Sequence, residues 1–143
     1  MHAENAVKNF ISGANCCQAI MSAYAQEYDL DLKTSQKLAA GFGGGIGLSR
    51  NVCGAVNAIV MVLGLKFFDT VDKFELYKII QNALAEFEKR AGSINCARLT
   101  NSTYGERLPP QHKQTCSKYI KLACDICDEF IGGDNFDGGD TGE

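Results

Sequence analysis

The sequence predicts an all-α fold, a compact bundle of five or six helices with an apolar helix at its centre. Apolar residues recur at three- and four-residue spacing through most of the chain, which is typical of helices with one buried face. Runs of alternating polar and apolar residues with hairpin turns, which would indicate strands, do not accompany them. The stretch "CGAVNAIVMVLGL" (53–65) is apolar on every side, which indicates a helix fully covered by its neighbours.

The first half of the chain contains four of the predicted helices. "AENAVKNFIS" (3–12) predicts a short helix that ends near Gly13, and "CCQAIMSAYAQEY" (16–28) predicts a second with Asn15 as its N-cap. "KTSQKLAAGF" (33–42) predicts a third, which the glycines at 43–45 terminate. The apolar run 53–65 is the fourth.

Two longer helices follow. "DTVDKFELYKIIQNALAEFEKRAG" (69–92) has Asp69 or Thr70 as its N-cap and Gly92 at its end. Its predicted core stripe is Phe74, Tyr77, Ile80, Leu84, Phe87 and Ala91. "HKQTCSKYIKLACDICDEFI" (112–131) closes the fold, and its predicted core stripe is Tyr119, Ala123, Ile126 and Phe130. The connection between them, 92–111, is long for a compact domain, and loops of this length are often functional.

Length and composition predict one helical domain over 1–131. The tail 132–143 contains four acidic residues and no basic ones, which predicts disorder. A net charge of −3 in 143 residues gives no basic field for nucleic acid. No apolar run reaches the roughly 20 residues that membrane insertion needs, and the first ten residues do not resemble a secretory signal. We therefore expect a soluble cytoplasmic protein, with its oligomeric state left open.

Seven cysteines are the main clue to function. In a reducing compartment, clustered thiols point to redox chemistry or metal binding rather than to structural disulfides. Cys116 and Cys127 point in nearly the same direction on the last helix but lie roughly 16 Å apart along its axis, so they cannot share one site. The pair Cys124 and Cys127 lies near a helix end and follows no strand, which favours structural or incidental thiols.

Cys53 and one of the adjacent pair Cys16 and Cys17 are the first candidates for a reactive thiol, because they lie in the first turns of predicted helices. Free backbone N–H groups and the helix dipole favour a thiolate at such positions. Cys53 also follows the glycine loop "GGGIG" (43–47), which predicts a tight turn or a close contact between helices, and has Arg50 upstream. These features predict a lowered pKa for Cys53.

Two further cysteines join these candidates. Cys96 lies in the long connection near Arg98, and Cys116 lies on the core-facing side of the last helix. Neither His2 nor His112 forms a convincing cysteine–histidine dyad in the sequence, which disfavours hydrolytic cysteine chemistry.

Five stretches occur in an order that resembles the C_GCAxxG_C_C family, whose members are described as redox-active. They are "GANCCQAI", "AAGFGGGIG", "NVCGAVNAIVMVLGL", "GSINCARLT" and "KQTCSKYI", and the resemblance covers about residues 10 to 130. It implies that the four family cysteines are Cys16, Cys53, Cys96 and Cys116, with Cys17, Cys124 and Cys127 as additions of this chain. Ala58 stands where the family motif CGAxxG has its last glycine.

Three hypotheses follow. In the first, the chain is an oxidoreductase-like redox protein that acts by thiol–disulfide exchange or electron transfer with an unidentified partner. Cys53 attacks in this scheme, and Cys16, Cys96 or Cys116 resolves the mixed disulfide. In the second, the same four cysteines bind an iron–sulfur cluster or zinc. In the third, the chain is an interaction module whose thiols are only structural.

Overall fold

Residues 1–133, the part of the chain that this computed structural model describes, contain seven α-helices and two 3-10 turns. Those residues contain no β-strand, although Val52 and Asn95 form an isolated antiparallel bridge. The 3-10 turns are Ala25–Tyr28 and Ala40–Phe42. The helices are α1 (His2–Ile11), α2 (Cys16–Tyr24), α3 (Leu32–Ala39), α4 (Gly54–Phe67), α5 (Lys73–Ala91), α6 (Cys96–Thr100) and α7 (His112–Ile131).

The predicted all-α class is confirmed, but the described residues contain seven α-helices instead of the five or six expected. The additional helix is α6, which lies inside the connection that the sequence predicts as a loop. Asn95 caps it by accepting a hydrogen bond from the backbone N–H of Arg98 at 3.1 Å. At five residues, α6 is too short to leave a periodic signal in the sequence.

Asn15 fixes the start of α2, as the sequence predicts. Its side chain accepts a hydrogen bond from the backbone N–H of Gln18 at 2.8 Å, and the Gln18 side chain accepts from the backbone N–H of Asn15 at 3.0 Å. The Asn15 amide also donates to the carbonyls of Ala39 and Ala40 at the end of α3. One side chain therefore holds the first turn of α2, including Cys16, against the end of the preceding helix.

The prediction that the fourth helix is covered on every side is wrong. The helix α4 packs mainly against α2, α5 and α7, and most of its side chains are buried. Val60 is nevertheless 37% exposed, because the surrounding helices leave one strip of α4 in contact with solvent. A helix with apolar residues on every side is therefore not necessarily covered on every side by its neighbours.

The predicted core stripes of α5 and α7 differ in their outcome. Along α5 the buried line runs through Ile79, Ala83 and Phe87, while Phe74 is 72% exposed and contacts the exposed Tyr77 edge to face. The predicted stripe was wrong at its first two positions, because these two rings pack on each other rather than in the core. The α7 stripe agrees, since Ala123, Ile126 and Phe130 are buried and Tyr119 is half-buried.

The predicted disordered tail lies outside the described residues from 134 onward, so its disorder stays a prediction, as does the domain boundary at 131. Within residues 1–133, no helix combines the length and the apolar character that crossing a membrane requires.

Candidate functional site

A pocket of about 350 Å³ lies where several helices begin, and Cys16, Cys53, Cys96 and Cys116 all line it. Cys16 and Cys96 are the first residues of α2 and α6, Cys53 is the N-cap of α4, and Cys116 lies five residues into α7. The structure thus brings together all four cysteines that the sequence selected, although they come from four separate segments. Whether they act chemically stays a prediction.

The other three cysteines lie elsewhere. Cys17, Cys124 and Cys127 are each fully buried in the apolar core. All seven cysteines of the chain are free thiols. Cys16 and Cys17 therefore divide as adjacent helical residues must, with one facing the pocket and the other facing the core. The "CDIC" pair has no part in the pocket, which agrees with its interpretation as structural.

The isolated bridge places Cys53 next to Cys96. The backbone N–H of Cys53 donates to the carbonyl of Ile94 at 2.9 Å, and the backbone N–H of Cys96 donates to the carbonyl of Asn51 at 2.6 Å. These two hydrogen bonds flank the Val52–Asn95 pair. The start of α4 and the start of α6 are therefore joined through the backbone and not only through side-chain packing.

Two glycines allow the close approaches that complete the pocket. A Cβ at Gly45, where φ is +66°, would lie 2.6 Å from the Cβ of Cys96. A Cβ at Gly54 would lie 3.0 Å from the carbonyl oxygen of Phe42 and 3.2 Å from the Cβ of Cys16. Gly45, in the glycine loop, thus provides the close contact that the sequence predicts, beside Cys96, and Gly54 at the start of α4 provides a second one beside Cys16.

Cys16 and Cys116 form a hydrogen-bonded pair, although they are far apart in the sequence. The thiol of Cys16 donates to the sulfur of Cys116, which raises the pKa of Cys16 well above its usual value, and burial raises it further. The same hydrogen bond lowers the pKa of Cys116. Burial of Cys116 opposes this effect, and the positive charge of Arg50 reinforces it. Of the two, Cys116 is therefore the thiol that loses its proton more readily.

The predicted low pKa of Cys53 is wrong. Burial raises the pKa of Cys53 to about 11, and hydrogen bonds from the backbone N–H groups of Ala55 and Val56 at the start of α4 only partly offset this. Cys17, in the first turn of α2, behaves similarly, because burial raises its pKa to about 12. Loss of solvent therefore outweighs the helix N-terminus at both positions.

Arg50 is a buried cation in the pocket wall, only 5% exposed. Its Nη1 donates to the sulfur of Cys96 at 3.4 Å and its Nη2 donates to the backbone carbonyl of Glu106, while its buried Nε has no partner. The sequence placed Arg98 beside Cys96 and Arg50 beside Cys53. Arg98 is instead exposed, and the guanidinium of Arg50 reaches Cys96.

His112 also lines the pocket, which sequence reasoning missed. Its Nε2 lies 3.2 Å from the backbone carbonyl of Thr100, and its buried Nδ1 has no partner. The neighbouring Lys113 donates to the backbone carbonyl of Phe10 at 3.2 Å, with its ammonium 5.1 Å from the centre of the Phe10 ring. The only signal in the sequence was the position of His112 at the start of a helix after two prolines.

The second hypothesis requires ligands grouped around a metal. Across residues 1–133, no set of three or more His, Cys, Asp or Glu side chains is arranged to hold a metal ion. What the pocket does present is one hydrogen-bonded thiol pair, two further buried thiols and an arginine beside them. That arrangement is suited to two-electron thiol chemistry.

Comparison with known proteins identifies the family but no individual relative. No curated protein and no solved structure matches the chain. Residues 14–130 match a family model described as "Putative redox-active protein (C_GCAxxG_C_C)". Since this match spans most of the sequence, including the four pocket cysteines, the chain belongs to the C_GCAxxG_C_C family.

Proposed function

We propose that the chain exchanges disulfides, with Cys116 as the attacking thiolate and Cys16 as the resolving thiol. The observation that carries this proposal is their hydrogen bond, which lowers the pKa of Cys116 and holds both sulfurs in the pocket. A disulfide between them requires the two sulfurs to approach to about 2.0 Å, and both already lie in one pocket.

The exchange proceeds in two steps. The Cys116 thiolate attacks a substrate disulfide, R–S–S–R′, which forms a mixed disulfide between Cys116 and R–S and releases R′–S⁻. Cys16 then attacks the sulfur of Cys116, forms the Cys16–Cys116 disulfide and releases R–S⁻, while the proton of the Cys16 thiol passes to a released thiolate. The substrate disulfide gains two electrons and the protein thiols lose two. A dithiol or thiol-bearing partner restores the reduced pair by the reverse steps.

This assignment differs from the sequence-based hypothesis, in which Cys53 attacks. With a pKa of about 11, Cys53 is protonated near neutral pH, and it is only 6% exposed. The thiolate is the reactive form, so Cys116 is the better nucleophile. Cys53 and Cys96 line the same pocket and take no part in the two steps of this exchange.

Oxidation of the reduced protein by bis(2-hydroxyethyl) disulfide tests the proposal. After acid quenching and alkylation, peptide mapping should find a Cys16–Cys116 disulfide and release of two 2-mercaptoethanol molecules per chain. Cys16→Ala should stop at a mixed disulfide on Cys116, while Cys116→Ala should react far more slowly. Cys17→Ala is the matched control and should behave as wild type, since Cys17 faces the core. A disulfide elsewhere, with Cys16 and Cys116 still free to be alkylated, would refute the assignment.

The alternative, a four-thiolate metal site, would require Cys16, Cys53, Cys96 and Cys116 to close around an ion, an arrangement that residues 1–133 do not show although all four line one pocket. Iron–sulfur clusters and zinc both accept four cysteine ligands. Protein purified without oxygen should then contain iron with sulfide, or zinc, and the metal should protect all four thiols from alkylation. Colourless, metal-free protein with four reactive thiols would exclude this candidate. Equally slow alkylation of every cysteine would instead favour the interaction module.

A further inference from the structure

Arg50 carries a buried positive charge that no carboxylate balances. Among residues 1–133 no ion pair joins it to an acid, and no Asp or Glu side chain lines the pocket. Glu106 lies next to the guanidinium but offers only its backbone carbonyl, because its carboxylate accepts hydrogen bonds from Thr103. A charged group at this depth is costly unless a partner of opposite charge is present.

Arg50 also has an unused donor. Its Nε is buried and unpartnered, and the sulfur that Nη1 contacts is a weak acceptor. An unsatisfied donor on a charged group is the more costly kind. The neighbouring wall contains the unpartnered Nδ1 of His112 and the side chain of Lys113, and it contains no acidic side chain. An oxyanion in the pocket would satisfy both the charge and the donor of Arg50.

We propose that the pocket selects small disulfides and thiols that carry a carboxylate, with the carboxylate bound at Arg50 and the sulfur presented to Cys116. This inference rests on the proposed disulfide exchange and names its substrate class. The volume of about 350 Å³ is that of a small-molecule site. The wall also includes Leu108, Pro109 and Tyr119, which contact the carbon chain of such a ligand.

Three small disulfides that share a six-atom chain but differ in charge serve as test substrates, so that the effect of charge on the oxidation rate is measured at nearly constant size. Dithiodiglycolate has two carboxylates, bis(2-hydroxyethyl) disulfide is neutral, and cystamine has two ammonium groups. Each rate of protein oxidation is divided by the rate of the same disulfide with free 2-mercaptoethanol, which removes differences in intrinsic reactivity. A charge-assisted hydrogen bond predicts a preference of roughly tenfold or more for dithiodiglycolate over the neutral disulfide.

The net charge of the chain makes this test stringent. At −3 overall, the long-range field repels anions and attracts cystamine, so a preference for the dianion requires a local cation. Corrected rates within about twofold of one another, or cystamine as the fastest substrate, would overturn the inference. Arg50→Gln should abolish the preference, while Arg98→Gln, a change at an exposed arginine outside the pocket, should preserve it.

Binding of adipate to the reduced wild-type protein provides a readout that needs no redox step and no variant. Adipate has the shape of dithiodiglycolate with a CH₂–CH₂ unit in place of the S–S bond. It should raise the melting temperature in a saturable manner, whereas 1,6-hexanediol should not. If adipate binds but none of the three disulfides oxidises the protein, the anion site stands and the exchange fails. If all three disulfides react with equal corrected rates and adipate does not bind, the exchange stands and the anion site fails.

Discussion

Replacing Gly45 by alanine should destabilise the chain by far more than the same change at Gly47. Both glycines have left-handed backbone angles, with φ of +66° and +58°. An added methyl group costs about 1–2 kcal/mol for that conformation alone. At Gly47 the nearest atom to an added Cβ is 3.9 Å away, so we expect no further cost there.

At Gly45 the new Cβ would lie 2.6 Å from the Cβ of Cys96 and 2.8 Å from the backbone nitrogen of Asn51. Neither neighbour can move freely, because the backbone hydrogen bond between Asn51 and Cys96 fixes both. Overpacking of this kind costs about 1–3 kcal/mol, so Gly45→Ala should lower the free energy of unfolding by about 2–5 kcal/mol in total.

Urea titration of the reduced proteins measures both changes, and Gly47→Ala supplies the conformational cost alone. The difference between the two variants, about 1–3 kcal/mol, is the close-contact contribution. Gly45→Ala should also change the rate at which Cys96 is alkylated, because the two residues are in contact. Equal losses of stability in the two variants would refute the role assigned to Gly45.

Three further predictions concern the thiols and the helix that carries Cys16. Alkylation of Cys116 should follow a titration with a midpoint below the usual 9.0, and Cys16→Ala should raise that midpoint because the hydrogen bond is lost; a wild-type midpoint at or above 9.0 would contradict the pairing. Burial raises the pKa of Cys17 from 9.0 to about 12, so its thiol stays neutral in the folded chain while it ionises in the unfolded chain. The free energy of unfolding therefore does not depend on Cys17 ionisation below pH 9, and it falls by up to about 1.4 kcal/mol per pH unit as the pH rises from 9 toward 12. In urea titrations at several pH values, Cys17→Ala should remove this part of the pH dependence. Asn15→Ala should lower the free energy of unfolding by about 1 kcal/mol through loss of the cap; an unchanged urea midpoint would show that the cap contributes nothing.

Sequence patterns were sufficient for α2, α4 and α7 and for the four cysteines that line the pocket, but not for α6, which begins at Cys96. Asn15 marked the start of α2 and Cys53 the start of α4, because capping and apolar periodicity are local properties. The glycine loop indicated a close contact next to Cys53, and the structure has one at Gly45 against Cys96, with another at Gly54 against Cys16.

Properties that depend on the assembled fold were not predictable in this way. The pKa of Cys53 rises because neighbouring segments exclude water, and no local pattern contains that information. Arg50 lies three residues before Cys53 yet its guanidinium reaches Cys96, from a backbone with φ of +61°. His112 joins the pocket only because α7 returns to the beginning of α2.

The positions of Cys16 and Cys116 near opposite ends of the chain have a consequence for stability. A covalent link between them would enclose a loop of about 100 residues, and the lost freedom of the denatured chain is worth roughly 4–5 kcal/mol in the chain-entropy treatment. Such a gain is a large fraction of the net stability of a typical domain. Oxidation of this pair would then make the chain more resistant to heat and proteases, and the melting temperature would show whether the pair is oxidised or reduced.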